Sequence, residues 1–212
     1  MPSFDIQRIT DLFHEPRLFD SEDRLERAGF EVIKGWKPGN IIVFSHPSEP
    51  EIIFKKYAND TPPDDQLDNY NERLRGAEAL SKLIAARQLK HILVPHKHLH
   101  DLPASFAFKK KNPSYVLICE RMSLLPKKKN KARYQDDFDE DVLRELCMVV
   151  SKFRGLDSGS YNMPFTPSGQ IAFIDTENWR GHQDRKKFEK VEKLLSKRSL
   201  KLARSFFNEL DT

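Results

Sequence analysis

The sequence predicts an α+β fold in two lobes: a five-stranded antiparallel sheet with one long helix first, then a reduced, mostly helical second lobe. Three observations carry this. Between residues 30 and 57, the runs FEVIK, NIIVFSH and EIIFKKY are rich in β-branched and aromatic side chains and are separated by Gly- and Pro-bearing turns, the pattern of an antiparallel meander. From Gln66 to about Leu89, Leu67, Tyr70, Leu74, Ala77, Leu83 and Ile84 recur at helical spacing. Beyond Met122 the chain turns basic and then helical again.

The elements follow in order. Residues 3–14 and 20–28 read as two short helices, the second opened by Asp20 or Ser21 and closed by Gly29, and together they form a cap or extension over residues 1–29. The first lobe takes residues 30–122. Its meander has turns at GWKPGN and PSEP, and NDTPPDD is a loop before the long helix. Two more strands are expected at residues 105–110 (SFAFKK) and 114–122 (SYVLICERM), joined by a KNP turn. The second lobe takes residues 123–212. It opens with LLPKKKNKARYQ, which has no apolar period and reads as a linker or surface loop. Residues 139–153 and 185–210 then read as amphipathic helices, the second one basic.

Bulk properties exclude several classes. At 212 residues, 38% hydrophobic and 32% charged, the chain is folded rather than disordered, and large enough for one main core and a smaller lobe. A formal charge of +4 permits an anionic partner without requiring one. Cys119 and Cys147 lie far apart inside apolar runs, as reduced core residues of a cytosol-like compartment do. No stretch approaches a membrane span, and the amino terminus lacks the layout of a secretory signal, so the expected location is cytoplasmic. His91, His96, His98 and His100 crowd KHILVPHKHLH but follow no zinc-ligand pattern, and a polar loop accounts for them. The lysine runs 109–111 and 127–129 come with no nucleic-acid motif, so solvated faces or a docking surface are the expectation. Ser158 and Ser160 lack a nucleophile elbow.

The chemistry concentrates in LDSGSYNMPFTPSGQIAFIDTENW, residues 156–179. IAFID is an apolar strand ending on an acid, and TPSGQ before it is a turn, so SYNMPF and IAFID are expected to form a hairpin presenting Asn162 and Asp175 as neighbours. A carboxylate and an amide oxygen together suit Mg²⁺, which keeps several waters and shares phosphate oxygens. Asp157, at the edge of the same segment, could orient or deprotonate a hydroxyl. Singly, each of the three has an ordinary use as a cap or turn residue.

The spacing Asp157-x4-Asn162-x12-Asp175 resembles the catalytic loop and metal-binding segment of the protein-kinase-like superfamily, H-R-D-x-x-x-x-N followed by D-F-G. The departures are Gly155-Leu156 in place of His-Arg and Thr176-Glu177 in place of Phe-Gly. The I-D-x-E ending looks closer to the aminoglycoside and choline kinase-like branch. Under the resemblance, Ile52-Ile53-Phe54-Lys55 matches the V-A-I-K strand, which puts Lys55 on the α- and β-phosphates of ATP, with Lys56 as the alternative register. Glu78, read onto the apolar stripe of the long helix, would pair with that lysine. Gly35 and Gly39 stand near a phosphate-covering loop, Cys119 at a gatekeeper position, and Glu120 and Met122 at an adenine-facing hinge. The implied cofactors are ATP and Mg²⁺, the metal held at Asn162 and Asp175, with the catalytic Asp157 positioning or deprotonating the acceptor hydroxyl. Resemblance covers about residues 30–180. So short a second lobe is similar to that of effectors that bacteria inject into host cells, which implies a host protein as substrate and delivery into the host cytosol. A pseudokinase scaffold and a kinase-like nucleotidylyl transfer are the alternatives.

Overall fold

A computed structural model describes residues 4–15, 17–35, 41–57, 63–102, 114–153, 155–177, 179 and 185–210. The chain is α+β and divides into two compact units, residues 1–71 with 96–121, and residues 72–95 with 122–212.

The first unit is a five-stranded antiparallel sheet under a helical cap. Strands β1 (Glu31–Lys34), β2 (Ile41–Ser45) and β3 (Ile52–Tyr57) form the expected meander. Two later strands of the sheet, β5 (Lys97–Leu102) and β6 (Ser114–Glu120), follow the two-residue β4 (Ile92–Leu93) of the other unit, and the sheet order is β1-β2-β3-β6-β5. Residues 105–110, expected as a strand, lie outside the described residues. The fifth strand is instead the histidine-rich stretch expected to be a loop. Its alternation is masked because His100, an apparent polar residue, is buried as an aromatic filler whose ring stacks 6.3 Å from Phe13.

Alternation along β3 sends Ile52 and Phe54 into the cap, with Lys56 on the same side. Above them lie α1 (Ile6–Leu12), a single 3-10 turn (Leu18–Asp20) and α2 (Glu22–Arg27). Asp5 accepts the Arg8 N–H at the start of α1, and Ser21 accepts the Arg24 N–H at the start of α2. Gly29 ends α2 at φ +87°, a conformation that favours glycine. Phe13 packs on Phe19, Phe30 and Phe54, with ring centroids 5.4 to 5.9 Å apart. Ile9, Phe13, Leu18, Phe19 and Leu25 therefore share one core with the sheet residues Ile42, Phe44, Ile52 and Phe54, so these helices cap one face of the sheet.

The second unit is mostly helical. The long helix α3 (Pro63–Arg87) begins in the first unit, where Tyr70 donates its hydroxyl to the Lys55 carbonyl and accepts the Tyr57 N–H, and its later turns add Leu80 to the second core. That helix was expected to belong wholly to the sheet lobe. It does not, because Leu80, Leu83 and Ile84 pack with the helices that follow residue 122. The supposed linker is helix α4 (Lys127–Gln135). Lysine and arginine are good helix formers, and only Asn130 and Tyr134, one turn apart, face inward, so no apolar period was visible. Helix α5 (Glu140–Lys152) is capped by Asp139 and buries Val142, Leu143, Leu146, Cys147, Val149 and Val150. The expected single carboxyl-terminal helix is two, α6 (Arg185–Glu192) and α7 (Lys197–Leu210). Ser196 breaks it by accepting the Ser199 N–H as a cap would.

Candidate functional site

Residues 160–177 run as the expected hairpin. Ile174 N–H donates to the Asn162 carbonyl, Ala172 N–H to that of Pro164, and Thr166 N–H to that of Gln170, while Gly169, at φ +85°, closes the turn. Its second arm, β7 (Ile171–Ala172), also runs parallel to β4, which fixes it in the core of the unit. Asn162 thus lies one residue from being opposite Asp175. Helix α4 ties down the first arm from the other side: the Asn130 side chain donates to Ser160 O at 2.8 Å and accepts Phe165 N–H at 2.8 Å. Tyr134 donates to Met163 O at 2.6 Å, and full burial raises its pKa, so it stays a donor. The Asn162 carboxamide is half-buried, and among the described residues nothing hydrogen-bonds to it.

A residue absent from the expectations dominates the other arm. Arg73 on α3, 6% exposed, reaches Asp175 through Nε at 3.3 Å and Glu177 through its second terminal nitrogen. The Glu177 N–H also donates to Asp175 Oδ1 at 3.3 Å, so one cation and one amide hold the two acids in a fixed turn. Close approach makes this possible. A Cβ on Gly76 would come 2.1 Å from the Thr176 carbonyl oxygen, and Thr176 Oγ1 donates to Arg73 O at 2.6 Å. The signal was present in the sequence: Tyr70, Arg73, Ala77 and Leu80 are spaced by three, four and three, so Arg73 is on the buried stripe, and a buried guanidinium requires acids.

Glu78 had been read onto that stripe, and the structure corrects this. The stripe runs through Ala77, and the next residue turns about 100° away from it. Glu78 is 64% exposed and accepts from Lys82 Nζ at 2.6 Å, which lowers its pKa. Asp157 is also exposed. Its Oδ1 takes Lys190 Nζ at 3.0 Å and the Gly159 N–H at 3.4 Å.

In the sheet unit, register separates the two candidate lysines. Lys55 stands between Val43 and Leu117 on the face away from the cap, half-buried. Lys56 is 2% exposed on the cap side, with Nζ 5.2 Å from the Phe19 ring centroid and 3.5 Å from Tyr57 O. Burial alone brings its pKa down to about 8. Gly39 lies outside the described residues. Gly35 backs onto a carboxylate, since a Cβ there would come 2.6 Å from Glu22 Oε1, which disfavours a phosphate at that spot. Glu120 uses its carboxylate to accept the His96 N–H at 3.0 Å, Cys119 is buried, and Met122 is half-buried in the stretch before α4.

Among the described residues no three His, Cys, Asp or Glu side chains gather as a metal cage. Mg²⁺ asks less of a protein, one or two oxygen ligands beside substrate phosphates, and Asn162 and Asp175 are oxygen donors of that kind, one residue out of register across the hairpin. No described helix is long and apolar enough to cross a membrane. No protein-family model matches the chain, and no curated protein is similar to it.

Proposed function

We propose that the chain is a kinase-like phosphotransferase that moves the γ-phosphoryl group of ATP to a hydroxyl with the help of Mg²⁺. The observation that supports this reading is the hairpin, which pairs Asn162 with Ile174, the residue before Asp175, and carries a third acid, Asp157, earlier in the same segment. Asn162 and Asp175 hold the metal, whose contribution when bound is to neutralise charge on the phosphates. Lys55 binds the α- and β-phosphates. Asp157 accepts the acceptor's proton as the new O–P bond forms and the bond to the β-phosphate oxygen breaks, releasing ADP. Arg73 keeps the Asp175 carboxylate aimed. Asp175→Asn should reduce transfer about 100-fold or more while leaving the far-ultraviolet spectrum unchanged. Undiminished transfer by this variant overturns the assignment.

A second reading has its own observation. Asp157 is bonded to Lys190 and Asp175 to Arg73, so both acids already have cations, as in a fold kept for binding. A melting shift with ATP and Mg²⁺ but no labelled phosphate on any protein or on the chain itself would favour that pseudokinase scaffold. Mass spectrometry showing a transferred nucleotidyl group would favour the third alternative.

A further inference from the structure

The face of α4 beside the hairpin carries a set of cations that no step above uses. Lys127, Lys128, Lys129 and Lys131 are exposed, with no acid in the helix. At about 100° per residue, Lys127, Lys131 and Lys128 fall on one arc bordering the buried Asn130 and Tyr134 edge, and Lys129 lies farther round. The arc is fixed relative to the loop of Asp157 because Asn130 and Tyr134 bond the backbone at Ser160, Phe165 and Met163. Within that loop Tyr161 is 62% exposed, with Lys127 Nζ 4.8 Å from its ring centroid. A large solvated aromatic flanked by a cation, between Asp157 and Asn162, is a recognition feature rather than a core one.

We propose that this surface docks an acidic segment of a protein substrate, laying Asp or Glu side chains on Lys127, Lys128 and Lys131 and a side chain or peptide face on Tyr161. Charge complementarity names the occupant, and the length of the patch selects a peptide. The helix is about 13 Å long. It runs straight into an exposed acidic run, Asp136, Asp137, Asp139, Glu140 and Asp141. A nucleic-acid backbone or a plane of anionic headgroups extends past such a boundary and is repelled there, whereas a short acidic peptide fits inside it. The inference rests on the phosphotransferase reading only for calling the occupant a substrate.

The test is fluorescence anisotropy on the full chain without nucleotide, using a labelled Glu-rich peptide that carries one serine. Binding is expected to be saturable and salt-sensitive. The variant Lys127→Glu, Lys128→Glu, Lys131→Glu should weaken it about tenfold or more, and Tyr161→Ala by about threefold. The control Lys193→Glu, Lys197→Glu, Lys201→Glu changes net charge equally on another exposed surface and should leave binding unaltered. Equal loss in both variants overturns the proposal, as does no binding, or tighter binding of a labelled oligonucleotide or of phosphatidylserine vesicles. Binding of the peptide without its phosphorylation on adding ATP and Mg²⁺ supports the docking surface and removes the catalytic reading. Phosphorylation of other acceptors without peptide binding does the reverse.

Discussion

Arg73 in the helical unit and Lys56 in the sheet unit are both buried cations, and the chain treats them in opposite ways. Arg73 keeps its charge and is given two acids, because a guanidinium cannot shed its proton inside a protein. Lys56 has no carboxylate partner among the described residues and lies over an aromatic ring, so burial moves it towards the neutral amine, with a pKa of about 8. The difference separates an organised polar site from a tolerated defect. A buried charge with designed partners positions other groups, whereas one without them only costs stability.

The comparison breaks most severely if the approach of α3 to the hairpin is blocked. Gly76→Ala should destabilise the chain by about 3 kcal/mol despite alanine's better helix propensity, because the new methyl meets a backbone carbonyl that cannot turn aside. Urea unfolding gives the value, and a neutral or stabilising result would mean the Thr176 backbone is not held there. Next comes Arg73→Met, expected to cost about 2 to 3 kcal/mol, below the range for fully buried pairs because Asp175 and Glu177 keep 30% and 25% side-chain exposure. Arg73→Lys should fall between, since one ammonium cannot serve both acids through two nitrogens. Transfer activity should fall with both, and more steeply than stability, if Arg73 aims Asp175.

Lys56→Met should act in the other direction and raise stability by about 2 kcal/mol at pH 7. The sign follows from the lowered pKa. Between about 8 and the ordinary 10.5, the unfolded chain binds the lysine proton more than the folded chain does, so the folded state gains stability as pH rises through that window. The variant lacks this gain. Its advantage should be largest below pH 8 and shrink towards pH 10, which chemical denaturation at a series of pH values measures. An advantage independent of pH would mean that Lys56 is charged and solvated in the fold.

Much of the architecture was legible because it rests on local rules. The meander, helix α5 and the hairpin follow from period-two or helical patterns bounded by turn residues, and Ser21 and Asp139 announce their helices. What failed, failed where polar residues do the work of apolar ones. Asn130 and Tyr134 turn a lysine-rich stretch into a packed helix, and His100 turns a histidine cluster into a strand. At the site, the hairpin was readable from its turn residues and apolar strand, whereas Arg73, the partner of Asp175 and Glu177, was passed over although it lies on the helical stripe. Choosing between Arg73 and Glu78 required following the stripe through a charged residue, and apolar periodicity alone passes over such a position.

The smallest effect tests that choice directly. Glu78→Gln removes the charge of a side chain that is two-thirds solvent-exposed and whose hydrogen-bond partner, Lys82, is itself exposed. Exposed helix pairs four residues apart contribute little, and the glutamine can still accept a hydrogen bond from Lys82. Both the urea midpoint and the transfer rate should therefore match those of the unaltered chain within error, while Arg73→Met changes both. A large loss of transfer in Glu78→Gln with an unchanged midpoint would restore the helix glutamate to the phosphate site. The Arg73 cluster is scaffolding only if Arg73→Met lowers the urea midpoint and leaves transfer unchanged, because a residue that stabilises without acting on transfer holds the fold and not the chemistry.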